Sequence, residues 1–182
     1  MKKPVIIRFT NEHSWREKLL LWLLGKVIPM HAFFYERRKP WEMRTQHLLQ
    51  YPNGSLGKEL GIFLTKEKLQ PIPRVERHDA FHILLDFDTK VHNEAAMQFF
   101  LIGNGKISPF TLGTAIFSGL ILPENWSYFK TQYYRGKKAR NISKWDFKAL
   151  LKHDFMEVKR YIFHPSSSNP ELASIITSTL TK

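Results

Sequence analysis

The sequence predicts a mainly α, single-domain helical bundle, and three observations carry that reading. Apolar residues recur at three- and four-residue spacing along most of the chain. Strand-like alternation is confined to "PVIIRF" near the start. Capping signals stand in front of the apolar runs where helices should begin. All 182 residues read as one domain, a length that encloses one hydrophobic core without dividing.

Taken in order, "SWRE" (Ser14 to Glu17) is a capping box that opens an amphipathic helix over about 14–28, ended by Pro29. Its apolar run, Leu19 to Ile28, contains Lys26 and is about half the length that spans a bilayer. It also follows Glu12 and Glu17 with no small-residue cleavage site after it, so it does not read as a signal peptide. The expectation is a cytoplasmic chain, or a mature form lacking its targeting segment. "YPNGS" (51–55) is turn chemistry, with Ser55 as the cap of "LGKELGIFL".

A helix over 76–86 places His78 and His82 one turn apart, with Asp79 inside the same arc of about 100°. "DFDTK" is a polar turn, and "HNEAAMQFFLI" returns as a second helix carrying Glu94. The hairpin brings Glu94 opposite the histidines. Ser108 and Pro109 then cap "FTLGTAIFSGLIL", apolar on nearly every side and suited to a core helix or a lipid-facing wall. "SKWD" at Ser143 repeats the capping-box pattern before "FKALLKHDFMEVKRYI", where Phe147, Leu150, Leu151, Phe155, Val158 and Ile162 make one stripe of a long helix. Residues 165–182 read as a loose tail with one short helix.

Composition narrows the chemistry. Cysteine is absent, which removes disulfides, iron–sulfur clusters and thiolate zinc, so any metal is held by nitrogen and oxygen. Lys plus Arg number 28 against 16 for Asp plus Glu, a net +12 that favours an anionic partner. Nucleic acid is the weaker choice, because no zinc finger, aromatic RNA-binding signature or basic zipper is present.

Two imidazoles and two carboxylates, His78, Asp79, His82 and Glu94, form a four-ligand set for a divalent metal, zinc first, with iron, manganese or magnesium able to use the same atoms. Two histidines at this spacing also occur as a plain surface pair, and the spacing alone does not separate the readings. A zinc protease is disfavoured, since Asp79 is shorter than the glutamate of H-E-x-x-H. A phosphohydrolase of the HD type lacks its further histidine and aspartate. His153 and Asp154 read as part of a solvated helix face.

The arrangement His78, Asp79, His82, eleven residues, Glu94 resembles the H-D-x-x-H-x(11)-E motif of the Coq-four family of ubiquinone (coenzyme Q) biosynthesis proteins. "YPNGSLGKELGIFL", "LLDFDTKVHNEAAMQFF" and "YYRGKKARNISKWDFKALLKHDFMEVKR" resemble its flanking elements, so the likeness covers about 43–160. Ser55 stands where that pattern has threonine, Leu85 and Asn93 stand where it has glycines, and the stretch from Leu64 to His78 is shorter. These departures bear on the substrate more than on the ligands.

The resemblance implies a peripheral membrane protein that binds polyprenyl lipids and works with other quinone-biosynthesis proteins. The activity it implies is oxidative decarboxylation of a prenylated hydroxybenzoate: loss of the ring carboxylate coupled to hydroxylation at that carbon. The location implied is the cytoplasmic face of a bacterial inner membrane, or the matrix face of the mitochondrial inner membrane in a eukaryote. A noncatalytic lipid-binding scaffold with a structural metal is the alternative, and a homo-oligomer is compatible with either.

The residues themselves agree in part. The basic balance suits anionic lipid, and Trp15, Trp22, Phe33 and Phe34 suit a helix lying at an interface, or equally one packed on the core. An apolar groove lined partly by residues 110–122 would lie beside the metal. Arg135, Lys137, Lys138 and Arg140 are candidates to receive an anionic headgroup, with a solvated face as the plainer reading.

Overall fold

In the computed structural model of the protein, the described residues are 15, 16, 18–20, 22 and 39–180, the side chains of 179 and 180 excepted. The expected strand "PVIIRF", Ser14 and Glu17 of the capping box, most of the helix over 14–28, and Phe33 and Phe34 lie outside them. Trp15, Arg16, Lys18, Leu19, Leu20 and Trp22 are helical, with Leu20 buried.

The elements of the remaining described chain are helices: α1 (Thr45–Leu48), α2 (Leu56–Lys66), α3 (Glu76–Leu85), α4 (Val91–Gly103), α5 (Pro109–Ile121), a 3-10 turn (Pro123–Asn125), α6 (Trp126–Lys138), α7 (Phe155–Phe163) and α8 (Pro170–Leu180). Among the described residues the only extended pairing is an isolated antiparallel bridge between Ser55 and Asp154. The helical bundle expected from apolar spacing is the fold observed.

The caps read from sequence act where they were placed. The Ser55 hydroxyl accepts from the Lys58 amide at the start of α2 (3.3 Å), and Ser108 accepts from the Thr111 amide at the start of α5 (3.1 Å). Asp86 ends α3 in the left-handed conformation (φ 58°, ψ 46°), which turns the chain sharply toward α4.

Helix α4 is the axis of the bundle, packed against α6 on one side and α5 on another, while α2 packs on α3 and both meet α7. Phe99 stacks on Phe129 (centroids 4.7 Å apart), and Phe81 meets Phe147 edge-on (5.5 Å). Both Phe81 and Phe147 are fully buried.

Two expectations need correction. The long helix over 147–162 is broken: residues 147–152 form turns, and α7 starts only at Phe155. Its cap is Asp154, whose carboxylate accepts from the Glu157 amide (2.8 Å); Ser143 caps nothing there and instead donates to Asn141. The reason is competition for backbone groups. The carbonyls of Leu151 and His153 accept from Gly57 and Leu56, and the Phe155 amide donates to Gly54 O, so this stretch serves the N-terminus of α2 rather than a helix of its own. The apolar stripe is still buried at Phe147, Leu150, Leu151, Val158 and Ile162. Nor is the C-terminal segment loose throughout: α8 occupies most of it, with Leu172 and Ile176 buried in the core.

Candidate metal centre

The centre is built on the α3–α4 hairpin. His78 and His82 stand four residues apart on α3, so both rings project from one face, and Glu94 comes from the first turn of α4. The Glu94 carboxylate meets both rings: Oε2 lies 3.2 Å from His78 Nε2, and Oε1 lies 3.0 Å from His82 Nε2. The two Nε2 atoms are 3.2 Å apart. One donor atom from each of the three residues falls within a common 4.8 Å.

These separations can be compared with what an ion requires. Donors about 2.0–2.2 Å from a tetrahedral divalent ion stand roughly 3.3 Å from one another. The observed 3.0–3.2 Å needs only a slight opening.

The ring of His82 is prepared for that role. Its Nδ1 lies 3.0 Å from the Phe87 carbonyl, so Nδ1–H donates there and Nε2 is the ring atom turned to Glu94 and His78, free to take a metal once its proton is lost. The Phe87 amide donates back to the His82 carbonyl (3.0 Å), which locks the turn after Asp86 to the ring it orients. Phe63 of α2 stacks on the same imidazole, centroids 5.5 Å apart and planes 21° from parallel. Phe87 and Phe63 were not singled out from sequence; the only signal for Phe87 is its place one short turn beyond His82.

Asp79 is not among the converged donors. One residue beyond His78, it points about 100° around α3, whereas residues four apart share a face. It is half-buried. Burial pushes its carboxyl up to about 6, against the attraction of His78 and His82, while the charges of Glu94 and Glu76 add to the rise.

Burial works against the charged form of His82, yet the Glu94 carboxylate, by charge and by hydrogen bond, together with the Phe87 carbonyl, raises its pKa to about 9. Burial likewise opposes ionisation of Glu94, but the charges and hydrogen bonds of His82 and His78 hold its carboxyl well below the usual range. For the metal-free protein, the His82 contribution to stability is therefore full below about 6.5 and lost as pH rises through about 9, and the Glu94 contribution is lost as pH falls below its ordinary 4.5. A metal must displace the His82 proton. Zinc affinity should consequently rise by up to about tenfold per pH unit between 6.5 and 8.5. Competition titrations against a chelator check this, and a flat profile would contradict the proton-held pair.

The four basic candidates differ in what they bind within the chain. The Arg135 guanidinium donates to the Leu85 carbonyl (2.8 Å), lies 3.5 Å from Asp86 and sits over the Phe163 ring. Arg140 donates to the carbonyls of Tyr161 (2.9 Å), Pro165 (2.6 Å) and Ser167 (2.6 Å). Both arginines clamp main chain, whereas Lys137 and Lys138 are exposed. Arg135 and Lys138 line a shallow groove of about 650 Å³ with Thr131, Tyr134, Ala139 and Phe163.

The departures at Leu85 and Asn93 are accommodated locally. Leu85 is fully buried and offers its carbonyl to Arg135. Asn93 donates to Asp88 (2.6 Å) and accepts from the Tyr128 hydroxyl (2.7 Å), tying the hairpin turn to α6.

No family model matches the sequence, and no curated protein matches it. Among solved structures, the chain is similar to the crystal structure of a Nostoc punctiforme PCC 73102 protein described as a "Putative ubiquinone biosynthesis protein". The TM-score is 0.53 at 20% identity, over 82% of this chain and 81% of that one. At that identity the likeness is one of fold: this helical bundle, with its hairpin of two histidines and a glutamate, is built on a fold that the Nostoc protein shares.

Proposed function

We propose that the protein acts in ubiquinone biosynthesis as a metal-dependent protein of the membrane surface, binding a polyprenyl-tailed aromatic precursor and promoting oxidative decarboxylation of its ring. The observation that carries this reading is the convergence of His78, His82 and Glu94. The fold likeness to the Nostoc protein and the resemblance of the motif and its flanks support it.

His78, His82 and Glu94 would hold the ion, zinc first among the candidates. When bound, it supplies Lewis-acid polarisation of a carboxylate or phenolate oxygen. The Phe87 carbonyl keeps the His82 tautomer. Asp79, next to His78 on α3 and with its carboxyl raised by burial in the metal-free protein, is the group placed to hold or release a proton at the site. The oxidant would be molecular oxygen, because zinc has no redox chemistry: water supplies the ring hydroxyl, and the two electrons left when the carboxylate departs as carbon dioxide reduce oxygen to hydrogen peroxide.

The side chains of His78 and Glu94 remain 27% and 21% exposed. Three protein donors in a part-open position favour an exchangeable fourth place over the closed site of a structural-metal scaffold.

No helix among the described residues is long and apolar enough to cross a membrane. A surface association is supported instead by the outer face of α5, where Leu112, Ile116, Phe117 and Leu120 are exposed, Leu120 by 73%. A side chain placed at Gly113 would meet nothing within 4 Å. Trp15, Leu19 and Trp22, spaced four and three apart, are exposed as well, and an Arg16–Glu124 ion pair (3.5 Å) holds that helix beside the end of α5. With a net charge of +12, this face would enter an anionic interface.

The test is labelled carbon dioxide release. Metal-loaded protein given a carboxyl-labelled prenylated hydroxybenzoate and oxygen should release label, and Asp79→Asn should slow release by about 100-fold with the helical spectrum unchanged. Wild-type release no faster than that of Asp79→Asn would favour the scaffold.

A further inference from the structure

The geometry points to Gln98 as the residue that recognises a hydroxyl on the ligand held beside His78, His82 and Glu94. This inference rests on reading that cluster as a ligand site. Gln98 lies on α4 four residues after Glu94, so the two share a face and stand one helical turn apart. Its side chain is buried, with only 2% exposed. Its Oε1 has no hydrogen-bond partner among the described residues.

An acceptor buried without a donor is a standing cost, and native chains retain few of them. Leucine or methionine would fill the same volume without that cost. The rest of the buried face of α4 is apolar, made of Val91, Ala95, Ala96, Met97, Phe100 and Leu101, which makes the one glutamine more telling.

The neighbouring helix agrees. α5 packs on α4, and its buried face is small and polar: Thr111, Thr114, Ala115, Ser118 and Gly119. Residues 104–108 join the two helices. Gln98 lies five residues before Gly103 and Thr114 five after Pro109, while Glu94 and Ser118 each lie nine away. The polar residues of α5 therefore stand at the same distances from the connection as Glu94 and Gln98 do on α4.

A glutamine Oε1 accepts and does not donate, so its partner must bring an O–H or N–H, and on a prenylated aromatic acid the group of that kind is a phenol. A phenol satisfies this, and an otherwise identical ring without the hydroxyl does not. Gln98 thereby discriminates between ligands that the metal alone would treat alike. Such discrimination is characteristic of sites built to hydrogen-bond a hydroxyl, since the analogue lacking it leaves the buried group unpaired.

The experiment uses cobalt-loaded protein, whose visible spectrum reports ligation, titrated with 3-geranyl-4-hydroxybenzoate and with 3-geranylbenzoate. Wild type should bind the hydroxylated probe at least tenfold more tightly. In Gln98→Leu the preference should fall within threefold, while cobalt affinity changes by less than threefold and the melting temperature of the metal-free protein stays the same or rises. Gln98→Met, unbranched and close in volume, serves if the leucine variant folds poorly. Equal affinities in wild type would mean that a fixed water already satisfies Gln98, and would overturn the assignment. So would a preference that survives in Gln98→Leu, or loss of cobalt from that variant. Wild type that binds cobalt but neither probe would overturn the aromatic-ligand reading along with it.

Discussion

Replacing His82 by alanine empties the metal centre: purified wild type should carry about one divalent ion per chain, and the variant essentially none. Three donors converge in the wild type, and the substitution leaves His78 and Glu94 alone, with a part-exposed carboxylate in place of a chelating set. Loss of one of three ligands should weaken zinc binding by well over 100-fold, more than the loss of an outer hydrogen-bond partner costs. Glu94→Ala should do the same by removing the residue that touches both rings. Elemental analysis and chelator competition read both variants, and unchanged metal content in the two would dismiss the site.

The same substitution has a second consequence for the metal-free protein. His82 is 4% exposed, and Glu94 lies 3.0 Å from its ring. Breaking a buried pair by deleting one member leaves the other without its partner, at a cost of about 3 kcal/mol. The Phe87 carbonyl loses its side-chain donor too. Chemical denaturation of metal-free His82→Ala should therefore show a lower midpoint, most plainly between pH 4.5 and 6.5, where both the raised His82 and the depressed Glu94 contribute fully. Near pH 10 the difference should narrow, because His82 has lost its proton there, to what the Phe87 hydrogen bond and the Phe63 contact contribute.

Gly136→Ala should be at least as damaging, for a reason unconnected with the metal. A Cβ at position 136 would lie 2.1 Å from the Phe100 carbonyl oxygen, and one at Gly103 would lie 2.0 Å from the Tyr133 carbonyl oxygen. These are reciprocal contacts of α4 with α6, made against backbone, so no side chain can swing aside. The helices must part. The Asn104 side chain bridges the same crossing, donating to the carbonyls of Gly136 (3.1 Å) and Arg140 (2.8 Å) and accepting from the Ile142 amide (2.8 Å). Separation would strain those buried bonds as well. A loss of roughly 3 kcal/mol or more is expected, beyond the usual range for an added methylene in a core. Thermal and urea unfolding measure it, and Gly113→Ala, where the new methyl meets nothing within 4 Å, is the control that should be neutral or slightly stabilising.

Sequence by itself determined the parts of this protein that depend on local chemistry. Ser55 and Ser108 cap helices because a hydroxyl beside an unpaired helix amide acts over three residues of chain. His78 and His82 share a face because four residues make about one turn, and a hairpin of this length returns Glu94 to them. Tertiary structure alone decided the rest. Asp79 stands outside the converged donors, because which neighbours on a helix face the partner depends on how α4 lies against α3. Arg135 and Arg140 hold main-chain carbonyls of distant segments while staying part-exposed, a tie that the basic run by itself does not record. The long helix over 147–162 broke because its carbonyls were needed by the N-terminus of α2, almost a hundred residues earlier. Gly136 and Gly103 take their meaning from each other across a helix crossing, and Gln98 from burial without a partner. A single chain segment carries no record of what the fold will set against it, so contacts between distant segments are legible only once the helices are packed.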